Sequence, residues 1–200
     1  MLTTIAAAAI LALANLCTCT AFSPSPSSAQ TSSCHSLPWT RQTHLSATPE
    51  SVVIGGGRIG SLLATEGAPL LGRDDSLASA IDPEGSGPIF VATRNDVLSD
   101  VVAGCPAPRR KDLVFLQNGY LDEFLSGRGL SANTQALLYL SVTAKGVAPV
   151  DGITAVNPEG LTAATGPHAE ALAAKLAALG LKCNVVSAEE YRPAMFEKMM

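Results

Sequence analysis

The 200-residue chain carries 13 Lys and Arg against 17 Asp and Glu, a formal net charge of −4, with 47% hydrophobic and 4% aromatic residues. A mildly acidic chain with no long run of one sign lacks the cationic surface that phosphate backbones select, which excludes nucleic acid as the expected partner. Three of the five cysteines lie in the first 34 residues and only His168 follows His44, so a disulfide framework, a histidine-rich metal site and a Ser-His-Asp hydrolase lack material.

The chain opens on an apolar run, Ile5 to Leu16, too short to span a bilayer and the right length for a signal-peptide core; small residues follow at Thr18–Ala21. From Phe22 to Pro49 it is rich in Ser, Thr and Pro and has no acidic residue, a composition that buries too little to fold and suits a transit peptide. Residues 1–21 are thus read as a signal peptide and 22–50 as a transit or disordered leader. The Thr20-Ala-Phe-Ser-Pro24 junction resembles the bipartite presequence of complex plastids. Import into a plastid (chloroplast) is the first expectation and secretion the alternative, with no stable membrane anchor in the mature form.

The body starts at Ser51. A β-branched run, Val52 to Ile54, breaks into Gly55, Gly57 and Gly60, a GxGxxG spacing between an apolar strand and a helix predicted over Ile59–Thr65. Gly55 turns the chain off the strand, Gly57 lets the backbone approach a pyrophosphate, and Gly60 lets the helix pack on the sheet. With Arg58 and Ile59 at the helix start, these residues are the candidate phosphate cradle. A glycine-rich turn without ligand is the bland alternative. Pro69–Leu71 reads as the second strand, ending at Arg73 and Asp74. Arg73 there favours the 2′-phosphate of NADP, Asp74 the 2′-hydroxyl of NAD, and the two signals conflict. Only 13 positions separate Gly60 from Arg73, so the first helix must be short.

Asp82–Pro88 reads as a loop and Pro88–Ala92 as a buried strand, with Thr93 and Arg94 at its C-terminal end, where ligands gather in open parallel sheets. Asp96 is expected to cap a helix over Val97–Ala103, and Arg109–Lys111 to form a solvated turn. Leu113–Leu116 is another strand, ending in Gln117, Asn118 and Gly119. Gln135–Val142 reads as a further strand and Asp151–Thr165 as a hairpin. An amphipathic helix follows, with Pro167 in its first position, His168 on its surface, and Leu172, Leu176 and Leu179 inward. Leu181–Val186 supplies a last strand, and Ser187 or Ala188 opens a helix running to Met200. Cys105 and Cys183 read as small buried residues.

The glycine turn, "VATRND", "DLVFLQNG" and "FEKMM" together resemble ketopantoate reductase, within the group similar to 6-phosphogluconate dehydrogenase, over about Ser51–Met200. The resemblance implies an NADP-binding, doubly wound α/β Rossmann fold. It implies that Asn118 lies beside the nicotinamide and helps hold substrate, and that Lys198 touches the substrate oxygen and donates the proton. It puts Arg94 where the family has a cofactor-side lysine, and Arg73 on the 2′-phosphate. The chemistry agrees, because reducing a ketone puts negative charge on its oxygen, which needs a cation or acid in reach.

Residues 51–187 are read as the Rossmann domain and 188–200 as the first helix of an incomplete helical domain. In the family that domain completes the substrate pocket and usually forms a dimer, so a homodimer is expected where it is present. The expected apolar face of Met195, Phe196, Met199 and Met200 needs burial, either by further chain or, in a stand-alone cofactor module, by a partner. The expected function is reduction of a small 2-keto acid or related carbonyl with NADP, NAD being second choice. A non-catalytic dinucleotide-binding module is the alternative.

Overall fold

The short β-branched and apolar runs of the body form strands buried on both faces, as parallel sheets require. The computed structural model describes residues 50–65 and 67–199; the signal and transit readings of the leader therefore lie outside the described residues, apart from Glu50. Five strands run parallel: β1 (Val52–Ile54), β2 (Leu70–Leu71), β3 (Ile89–Val91), β4 (Leu113–Phe115) and β5 (Thr134–Leu137). A short ladder, β6 (Leu140–Ser141) with antiparallel β7 (Val150–Asp151), stands apart. β8 (Ala163–Thr165) returns antiparallel to β5, and β9 (Asn184–Val185) runs parallel to β8. The main sheet has the order β2-β1-β3-β4-β5-β8-β9. The chain winds one way from β1 to β2 and the other way from β3 to β5. A crevice therefore opens at the C-terminal ends of β1 and β3.

Helices cover both faces: α1 (Arg58–Leu63), α2 (Leu77–Ala80), α3 (Leu98–Gly104), α4 (Asp122–Ser126), α5 (Ala169–Ala178) and α6 (Ala188–Met199). The two-residue period of a strand divides the core between them. Ile54, Val91 and Phe115 pack with Leu98 and Val101 of α3 and Leu125 of α4. Val53, Phe90 and Val114 pack on the other face with Leu63 of α1 and Leu172 and Leu176 of α5. Burying one such side chain stabilises the fold by about 1.5–3 kcal/mol. Cys105 is buried and Cys183 half-buried; both are free thiols, and burial pushes each up to about 11.

Several expectations need correction. Asp96 caps nothing, because a 3-10 turn over Asn95–Val97 leads into α3 and the Asp96 carboxylate pairs with Arg94 at 2.6 Å. Arg109 is not solvated. Its guanidinium, 3% exposed, donates to Asp112 Oδ2 (2.7 Å) and to the carbonyls of Asp82 (2.8 Å) and Gly87 (2.9 Å). It thus ties the loop before β3 to the start of β4, with carbonyl and carboxylate partners offsetting the desolvation of its charge. His168 is half-buried rather than fully solvated, with its Nε2 3.2 Å from Asp112 Oδ1. α5 begins at Ala169, so Pro167 precedes the helix rather than occupying its first position.

The Gln135–Val142 run splits into β5 and β6 around Leu138 and Tyr139. The Asp151–Thr165 hairpin does not form, because β7 pairs with β6 and β8 with β5. Met195, expected on an open face, is 2% exposed against Leu137, Ala163 and Tyr191, whereas Phe196 and Met199 are exposed. α6 starts on a reciprocal cap: Ser187 N donates to Glu190 Oε2 (3.0 Å), and Glu190 N to Ser187 Oγ (3.3 Å).

Candidate functional site

The crevice at the reversal of strand order holds a cavity of about 990 Å³. Gly55, Gly56 and Gly57 line one end; Arg73, Asp74 and Asp75 follow β2, and Thr93 and Arg94 follow β3. Five of the predicted cofactor residues, Gly55, Gly57, Arg73, Thr93 and Arg94, therefore share one wall. The far wall comes from Leu77 and Ala78 of α2 and from Val97, Val101 and Gly104. Sequence reading missed it because α2, four residues long with no buried position, has too little periodicity to register.

The three glycines meet different conditions. Gly55 has φ +109°, and a β-carbon there would lie 2.7 Å from the Ala92 carbonyl oxygen. A β-carbon at Gly60 would overlap the Gly55 carbonyl oxygen, so α1 can cross the turn this closely only without one. Gly57 has φ −72°, and a β-carbon would meet nothing within 4 Å, only open space. The first bond of α1 runs from Ser61 N to Gly57 O (2.9 Å), and the amides before it have no carbonyl within the helix to bond. The helix is six residues long, shorter than the predicted span to Thr65.

Arg58, Ile59 and Gly60 do not line the cavity. The Arg58 guanidinium is engaged elsewhere. Its Nη1 donates to the Val142 carbonyl (2.9 Å), tying the glycine turn to the segment after β6. Ile59 is half-buried against the α1 side of the sheet. Arg73 and Asp74 are both exposed at the cavity mouth; Asp75 is occupied, accepting a 2.6 Å bond from Gly72 N. Among the described residues nothing pairs with Arg73. Thr93 Oγ1 is buried on the wall and has no hydrogen-bond partner among the described residues. An orphaned donor beside a cradle that a side chain could fill fits a polar, phosphate-linked ligand such as a dinucleotide.

Asn118 and Lys198 do not line this cavity. Asn118 is exposed at the end of β4, and its carbonyl accepts a bond from Asn95 Nδ2 (3.1 Å). Gln117, buried beside it, donates from Nε2 to the carbonyls of Val91 (2.8 Å) and Thr93 (3.2 Å). Two amide side chains thus stitch the ends of β3 and β4 together. Lys198 reaches from α6 to the end of β5, the next strand along the same edge, where its Nζ donates to the Leu138 carbonyl (2.7 Å). Burial holds its ammonium below the usual lysine range. The glycine wall, Asn118 after β4 and the Leu138 carbonyl that Lys198 meets after β5 therefore follow one another along the C-terminal edge of one sheet.

A second cavity, about 670 Å³, lies between α4 and α6 and contains none of the predicted cofactor residues. Among the described residues, no helix is long and apolar enough to cross a membrane, and no cluster of His, Cys, Asp and Glu is placed to hold a metal.

No protein-family model matches the chain, and neither does any curated protein sequence. Solved structures with a similar fold include a ketopantoate reductase from Ralstonia eutropha (16% identity, 68% of this chain and 56% of that one, TM-score 0.45). Another is a dimeric ketopantoate reductase from Staphylococcus aureus (16% identity, 68% and 54%, TM-score 0.43). A third is a D-mandelate dehydrogenase with NADH and anilino(oxo)acetate (15% identity, 74% and 60%, TM-score 0.46). The chain spans a little over half the length of each of these.

Proposed function

We propose that the chain is the dinucleotide-binding part of an NADP-dependent oxidoreductase that reduces a small 2-keto acid or related carbonyl. The observation that carries this reading is the meeting of the glycine turn, the β2 end and the β3 end around one cavity at the reversal of strand order. When bound, the dinucleotide supplies a hydride. The chain's own residues bind and orient. The backbone at Gly56 and Gly57 receives the pyrophosphate, Arg73 takes the 2′-phosphate, and the Thr93 hydroxyl gains the partner it lacks. Arg94, ion-paired with Asp96, stands beside them on the same wall. Asn118 holds the substrate at the end of β4, and Lys198 presents an ammonium proton to the carbonyl oxygen as negative charge develops there. A lysine held below its usual range transfers that proton more readily near neutral pH. On the leader's composition, the mature protein acts in a plastid. A homodimer is part of the same proposal.

Calorimetric titration with ADP-ribose, NADPH and NADH, followed by turnover of a panel of small 2-keto acids, tests the reading. NADPH binding with turnover that vanishes in Lys198→Ala supports it; absence of any dinucleotide binding sinks it. A second reading, a non-catalytic dinucleotide-binding module, is favoured by the bond that already engages Lys198 with the Leu138 carbonyl. It predicts tight dinucleotide binding without turnover of any carbonyl.

A further inference from the structure

An ammonium group has three N–H bonds to direct, and in Lys198 two directions are taken. One N–H meets the Leu138 carbonyl at 2.7 Å. The Nζ also stands over the Tyr139 ring, 4.4 Å from its centroid, within the range where a ring face attracts a cation. By sequence Tyr139 is one position of the apolar run Gln135–Val142. Its backbone is nonetheless held on both sides: its N–H donates to Thr162 Oγ1 (2.9 Å), and its carbonyl accepts from Gly152 N (2.8 Å). A β-carbon at Gly152 would overlap that carbonyl oxygen, so a glycine is needed for the approach. The ring is thus set by a fixed backbone at the bend between β5 and β6.

We propose that Tyr139 is a positioning residue: its ring face, with the adjacent Leu138 carbonyl, holds the Lys198 ammonium in place and leaves one N–H for an incoming oxygen. This rests on the reading of Lys198 as the proton donor and adds the element that fixes its geometry. Carbonyl and ring both favour the charged amine, while burial opposes it. The other charges on this face of α6 are an ion pair, Arg192 with Asp122 of α4 at 2.8 Å, and Glu197. Burial raises the Tyr139 phenol first and the negative charge of Glu197, on α6 itself, raises it further. The strands against which α6 packs, β5 and β8, contribute only Thr, Gln, Ala and Leu, and Tyr191 of α6 is a buried phenol held neutral.

The test is competitive labelling of the purified chain with acetic anhydride across pH. Acetylation of Lys198 is read by mass spectrometry against Lys111 and Lys145 as internal references. Tyr139→Leu keeps the site apolar but removes the ring, and is expected to lower the apparent pKa of Lys198 by about half a unit to one unit. Tyr139→Phe keeps the ring and should match the parent chain. Lys198 titrating alike in the parent and Tyr139→Leu overturns the proposal, as does Tyr139→Phe behaving like Tyr139→Leu. If Tyr139→Leu fails to fold, the labelling curve of Tyr139→Phe against the parent decides on its own: coincidence supports the ring-face role and divergence overturns it. Turnover is a separate arm. Labelling as expected with no carbonyl reduction by the parent chain would remove the reductase reading and leave the cradle standing. Where turnover exists, the limb of its pH profile set by Lys198 should move to lower pH in Tyr139→Leu and stay put in Tyr139→Phe.

Discussion

Gly60 lies against the carbonyl oxygen of Gly55 so closely that a β-carbon at position 60 would overlap it, while Gly57, three residues earlier, faces open space. The turn therefore uses one glycine for packing and another for access. Gly60→Ala is expected to destabilise the fold by about 1–3 kcal/mol as α1 is pushed off the sheet. Gly57→Val should melt within a few degrees of the parent chain yet weaken dinucleotide binding about tenfold or more, because its side chain would occupy the space left for a pyrophosphate. Thermal unfolding and calorimetry on both variants check this. Equal melting losses would remove the division of roles.

Arg73 and Asp74 stand together at the cavity mouth. On the proposal that Arg73 meets a 2′-phosphate, Arg73→Ala weakens NADPH about tenfold or more and leaves NADH nearly unchanged. Asp74→Ala should then affect NADH at least as much as NADPH. Competition of each cofactor against ADP-ribose measures the ratio, and equal weakening of both by Arg73→Ala would count against the assignment.

The buried pair of Arg109 and Asp112 sits before β4, at the opposite edge of the sheet from the glycine turn. Removing one member leaves a buried charge without its partner, so Arg109→Met and Asp112→Asn should each cost about 3–5 kcal/mol. Urea unfolding reads that loss. ADP-ribose affinity at low temperature, where the variants stay folded, should be unchanged, and a selective loss of affinity would tie this network to the site.

Lys198 carries a sign that can be worked out. Its folded-state pKa is depressed by burial, so as pH falls through the ordinary value of 10.5 the unfolded chain takes up its proton first and the folded state is penalised. The penalty is complete below the folded pKa and absent well above 10.5. Lys198→Met should therefore raise the unfolding midpoint at neutral pH, with the gain shrinking toward pH 10.5, while abolishing any turnover. A variant less stable than the parent across the whole range would show that the Leu138 and Tyr139 contacts outweigh the burial cost.

Local patterns carried most of the fold. The apolar runs at Val52–Ile54, Ile89–Val91 and Leu113–Phe115 became neighbouring parallel strands, and Leu62, Leu63, Leu172 and Leu176 face the core as their helical spacing requires. The glycine turn, Arg73, Thr93 and Arg94 converge because each follows a strand of one parallel sheet, and such a sheet presents all its C-terminal ends on one edge. Elsewhere a short motif misled. Arg109–Lys111 reads as a charged turn by composition, and no local pattern shows that three acceptors await the Arg109 guanidinium.

The sequence by itself therefore determined the segments of β1 to β4 and of α1, α3, α5 and α6 to within a few residues, the glycines that the turn requires, and the residue types at the strand ends, all of which depend on neighbours a few positions away. The short α2 and α4 and the β6–β7 pairing carry no such local pattern. Only the tertiary structure decided which distant groups meet. Arg109 finds carbonyls 22 and 27 positions back along the chain, Arg58 reaches Val142 across 84, and Lys198 reaches Leu138 across 60. Such contacts have no period in the sequence, because they are set by how the strands are ordered and how the helices fold back on them. The bend at Leu138 and Tyr139 is the clearest case. Its apolar residues suit a continuous strand, and it is the return of β7, β8 and α6 around it that turns the segment into a cradle for a charged amine.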